Sequence, residues 1–111
     1  MFEVFSNSFK PPEEVREGIW RLFSYSPVSV APGGRYVVPV GCRCLYPVIV
    51  FPAAMDANIV AVSRLWLPED GGIFITLFNM RGSAVDDFSR IFGRDNITME
   101  VGSCVAYAVK V

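Results

Sequence analysis

The chain has 111 residues, 52% of them hydrophobic and 19% charged, with a net charge of -1. That length holds one domain, residues 1–111, rather than two independent cores, and the composition excludes intrinsic disorder. The ten basic residues are scattered rather than clustered with aromatics, which argues against nucleic acid as a partner.

No run approaches the ~20 apolar residues of a bilayer-spanning helix, and the start "MFEVFSNSFKPPEE" has no basic region followed by an apolar one, so a soluble intracellular chain without a membrane partner is expected. The cysteines, Cys42, Cys44 and Cys104, are odd in number, which speaks against a secreted disulfide framework. Three thiols and no histidine leave tetrahedral zinc one ligand short, so no metal is expected, and no other cofactor. The absence of histidine also removes the usual general base.

In chain order, "PPEEVREGIWRLF" places Pro and paired Glu where a helix would begin, with Val15, Ile19 and Leu22 at helical spacing and Gly18 as an interruption. "APGG", Ala31 to Gly34, is turn chemistry. "RYVVPVGCRCLY", Arg35 to Tyr46, predicts one half-buried strand whose even positions, Cys42 and Cys44 among them, face the core. "ANIVAVSRLWL" and "GGIFITLF" each predict a strand. "SAVDDFSRIFG" reads as a short helix or an ordered loop. "ITMEVGSCVAYAVKV" predicts a strand, a bend at Gly102 and a last strand. Turn signals recurring at intervals of about eight to twelve residues favour an all-β sandwich or barrel. The ending Val109-Lys110-Val111 alternates as a strand does, and also has the form of a PDZ ligand.

Taken in order, "VSVAPGGRYVVPVGCRCLYP", "GGIFITLFN" and "ITMEVGSCVAYAV" resemble successive parts of the dUTPase family, with Pro32-Gly33, Gly71 to Asn79 and Gly102 as anchors. The resemblance covers about three quarters of the chain. It implies an all-β, jelly-roll-like subunit, a homotrimer, and hydrolysis of dUTP with Mg²⁺ at sites whose five motifs are shared between neighbouring chains.

The polar members of those motifs are replaced. Where the first motif would end, Trp20 takes the place of a tyrosine and Arg21 that of an acidic residue, and an arginine repels a magnesium ion. The second motif, a phosphate contact, is matched only by Ser63 and Arg64 in reversed order. In the third, Trp66 occupies the catalytic aspartate's place and Glu69 the tyrosine's, and an indole has no acceptor with which to deprotonate water. The fourth carries Ser103, Cys104 and Tyr107 for aspartate, arginine and glutamine, and the Gly-rich tail of the fifth has no counterpart before Val111.

The expectation is therefore a dUTPase-like scaffold without catalytic residues, similar to the adenovirus early proteins descended from dUTPase, acting as a protein-binding or regulatory module. Its partner surface is expected in the long loop Met80 to Asn96, where Phe88 and Phe92 would share one helical face and Arg90 and Arg94 a neighbouring one. Two other readings stand beside it. One is a residual nucleotide-binding protein or divergent hydrolase built on Ser63, Arg64 and Asp70, and the other is a structural trimer of a virus particle.

Overall fold

The first element expected from the sequence folds differently, around Gly18. The computed structural model describes residues 1–53, 59–80 and 96–111. In it Gly18 adopts a φ of 81° and closes a two-residue turn, across which Arg16 pairs with Ile19. The helix expected over residues 11–23 is instead the hairpin β2 (Glu13–Arg16) and β3 (Ile19–Phe23). A glycine costs about 1 kcal/mol inside a helix but is favoured at a positive-φ turn position, and Ile19, Trp20 and Phe23 suit a strand. Before the hairpin comes β1 (Phe2–Val4).

Further along are β4 (Val28–Val30) and β5 (Arg35–Pro39), joined through Ala31 to Gly34 by a turn in which the Gly34 amide bonds the Ala31 carbonyl at 2.9 Å. Pro32 is its second residue and Gly33, at φ 71°, its third. The single strand expected over Arg35 to Tyr46 is broken in two, because Gly41 turns to φ 72° between β5 and β6 (Cys42–Cys44). The facing pattern survives the break: Val38, Val40, Cys42 and Cys44 are all buried, whereas Tyr46 is exposed.

The strand expected from "ANIVAVSRLWL" is likewise two. After β7 (Val48–Pro52), β8 (Ile59–Val60) joins one sheet and β9 (Arg64–Trp66) another, with the chain leaving the ladder at Ala61 to Ser63. Then follow β10 (Phe74–Asn79), β11 (Ile97–Met99) and β12 (Cys104–Lys110). Val109 pairs with strands on both flanks and Lys110 with β7, while Val111 stands just past the strand and is exposed.

The largest sheet has the order β2-β3-β12-β7-β9, and a second has β5-β10-β8, with the pairs β1-β6 and β11-β4 completing the all-β architecture. A bulge between Cys104 and Ala106 lets the adjacent Val105 and Ala106 both reach the core. Leu22, Val38, Val48, Leu77, Val105 and Ala108 are fully buried, drawing the sheets onto one apolar core.

Two of the three framework anchors singled out in the sequence meet in space. Asn79, at the end of β10, exchanges backbone bonds with Gly33 and Gly34, and its buried amide donates to the Val30 carbonyl at 2.8 Å. That ties the end of "LFN" to the Pro-Gly turn. Gly102, at φ 83°, bends the chain so that its amide reaches the Ser24 carbonyl at 2.8 Å. On the outer face of the large sheet, Ile19, Val109, Ile49 and Leu65 stand side by side in register, an apolar row with Leu65 49% exposed.

Candidate functional site

The candidate pocket residues from the first three motifs fall into two groups. Trp20 and Arg21 lie on β3, whereas Arg64 and Trp66 lie on β9, with β12 and β7 between them. Three strand spacings put the two groups roughly 14 Å apart. Trp20 is half-buried, edge-on to Phe2 with ring centroids 5.3 Å apart. Arg21 is exposed, forms a 3.0 Å ion pair with Glu13, and is held in its charged form chiefly by the Tyr107 hydroxyl across the β3–β12 ladder. Tyr107 thus stands directly opposite the very arginine that replaces the acidic residue.

Around β9 the structure brings Arg64, Trp66 and Asp70 together. The Trp66 indole is 2% exposed and meets Phe74 edge-on, with centroids 5.0 Å apart. It fills the space rather than projecting from the surface. The Arg64 guanidinium stacks 3.9 Å from the centre of the Trp66 ring and lies 3.4 Å from the Asp70 carboxylate. Asp70 also accepts the Leu67 amide at 2.8 Å, closing the short 3-10 turn Pro68–Asp70. This role was readable in "LPED", since Pro begins such a turn readily and an aspartate two residues after it can accept the amide of the residue before the Pro. Glu69 stands in the same turn.

Ser63 joins Arg64 and Trp66 along an open cavity of about 330 Å³, whose opposite wall is Phe74, Ile75, Thr76 and Phe78 of β10. Sequence reasoning singled out the first wall and missed the second, because β10 reads simply as a core strand.

The donors at these positions do not fit a magnesium ion. Where acidic residues would be needed there stand the Arg21 guanidinium and the Trp66 indole, and the Asp70 carboxylate is already engaged by Arg64 and the Leu67 amide. Among the described residues no group of three or more acidic or thiol side chains gathers into a metal-binding cluster. Cys42 is buried and its thiol is pushed up to about 12, mainly by burial and further by Cys44, so it stays protonated. Cys44 donates weakly to the Trp66 carbonyl at 3.7 Å. Phe88, Arg90, Phe92 and Arg94 lie outside the described residues.

No protein-family model matches the sequence, and no curated protein does either. Solved structures do match. The chain is similar to the dUTPase of Streptococcus mutans with a TM-score of 0.72 at 15% identity, covering 99% of this chain and 93% of that one. Against the dUTPase of Staphylococcus bacteriophage 80alpha the TM-score is 0.77 at 13% identity, covering 100% of this chain and 88% of that one. Against the dUTPase of phage phi11 of S. aureus, in a structure concerned with a structural Mg(II) ion, it is 0.75 at 13% identity with the same coverage. The protein has an all-β, dUTPase-like fold.

Proposed function

We propose that the chain is a protein-binding module on a dUTPase-like scaffold, catalytically silent and assembled as a homotrimer. The observation that carries this reading is Trp66. Where the resemblance puts the residue that activates water, an indole is packed against Phe74 at 2% exposure, with no acceptor for a proton. Arg21, cationic where a metal-binding acid would stand, supports it further. The homotrimer rests on the resemblance and on the outward apolar row of Ile19, Val109, Ile49 and Leu65. A viral setting, engaging host proteins as the adenovirus early proteins do, belongs to the same reading and rests on that resemblance alone.

A second reading is favoured by one observation, the juxtaposition of Arg64 and Asp70 beside Ser63 in an open cavity. In it the cavity binds a nucleotide. The two are separated by incubating the purified protein with Mg²⁺ and dUTP or other nucleoside triphosphates. Pyrophosphate release at background level is the expected result. Release that disappears in Asp70→Asn would establish the second reading in its place. Affinity purification from the native host cell then identifies the protein partner.

A further inference from the structure

Strand β10 has one edge finished and one edge open. On the finished side Phe74 to Phe78 pair with β5. The phase of that ladder follows from its flanks: the Val40 amide bonds the Ile73 carbonyl, and Asn79 exchanges bonds with Gly33 and Gly34. Ile73, Ile75, Leu77 and Asn79 therefore direct their backbone groups toward β5, and Phe74, Thr76 and Phe78 direct theirs the opposite way. On that opposite side β8 pairs only with Phe78 and Asn79, and the chain then leaves the sheet at Ala61. Among the described residues no strand pairs with Phe74 or Thr76 there.

Beyond this open edge lies the cavity described above, with Val62, Ser63, Arg64 and Trp66 on its far wall. Its volume of about 330 Å³ is at the small end of ligand clefts, which run from about 300 to 1,000 Å³. The wall of β10 offers two N–H and two C=O groups, from residues two apart and hence about 7 Å from each other along the strand. Another extended backbone matches that spacing. Val62 and Phe74 leave apolar surface exposed beside it, at 73% and 39%. Among the described residues Arg64 is the one charged side chain lining the cavity, and its guanidinium is half-exposed. With five N–H donors, Arg64 has some free for a second carboxylate while it holds Asp70.

We propose that this seam receives an extended peptide from a partner protein, which adds as a strand to the open edge of β10, continues the ladder that β8 begins, and presents an acidic side chain to Arg64. The proposal deepens the protein-binding reading and rests on it.

The test uses the full chain and starts without a partner. Amide hydrogen exchange should find the Phe74 and Thr76 amides fast and the Ile75 and Leu77 amides slow. Protection of all four in the free protein means the edge is already covered, which overturns the proposal and leaves the protein-binding function standing. A phage-displayed random decapeptide library is then selected on the immobilised protein. The selected sequences should alternate apolar residues and carry an acidic one. As synthetic peptides followed by fluorescence anisotropy, they should bind Arg64→Gln about tenfold more weakly. Methylating backbone nitrogens one at a time should abolish binding at every second position and spare the positions between. A library that yields no binders, or binders indifferent to the position of N-methylation or to Arg64→Gln, overturns the proposal.

Discussion

An indole and a carboxylate ask opposite things of their surroundings, and position 66 has been rebuilt for the indole. Trp66 packs on Phe74, lies beneath Arg64 and is closed off by the core around Val48, with which it pairs in the β7–β9 ladder. Trp66→Ala should therefore cost about 3–5 kcal/mol in urea unfolding, as expected for an emptied aromatic site. Trp66→Asp, which restores the family's residue type, should be more damaging still, since it adds a desolvated charge to the same emptied cavity. A melting temperature for Trp66→Asp close to that of the unaltered protein would mean the site still tolerates an acid.

At the scale of elements, glycines decide where strands end. Gly41 separates β5 from β6, and a Cβ there would come within 2.5 Å of a Phe9 ring carbon, on the ring that stacks on Tyr25 with centroids 4.1 Å apart. Gly41→Ala should cost about 2–4 kcal/mol, from the left-handed backbone together with the displaced ring. Gly102→Ala shares the positive φ but meets nothing within 4 Å, so it should cost about 1–2 kcal/mol. Unfolding curves that rank the two variants the other way would contradict this account. The same glycines mark how far the sequence could be read. The alternation from Val38 to Cys44 was legible because burial follows a period of two, but the break at Gly41 was not, since a positive-φ glycine can leave that alternation undisturbed. At Gly18 local signals favoured both helix and hairpin, and pairing of β3 with β12 decided the matter. In "ANIVAVSRLWL" the β-branched run was visible, but its division between two sheets depends on partners distant in sequence. The motif positions around Trp66 were legible as substitutions, and the open edge of β10 was not, because an unpaired edge is a property of the assembled sheet.

For the whole molecule, the apolar row across the outer face is the feature that bears on assembly. Ile49 stands inside it, between Val109 and Leu65. Light scattering should report about three times the 12.3 kDa chain mass. Ile49→Asp should shift that value to a single chain, and a concentration-independent monomer in the unaltered protein would remove the homotrimer from the proposed function.

Strand β12 lies between β3 and β7, although it is the last of the three to be made. Synthesis on the ribosome delivers β3 and β7 long before the seven residues from Cys104 to Lys110 emerge. During that interval the nascent chain holds two bare strand edges, and Leu22, Val48 and Val50 lack the Val105, Ala106 and Ala108 side chains that share their core. The largest sheet therefore can be completed only after β12 has emerged. A chain halted before residue 104 is an unfinished surface that invites chaperones or other chains to take the place of β12.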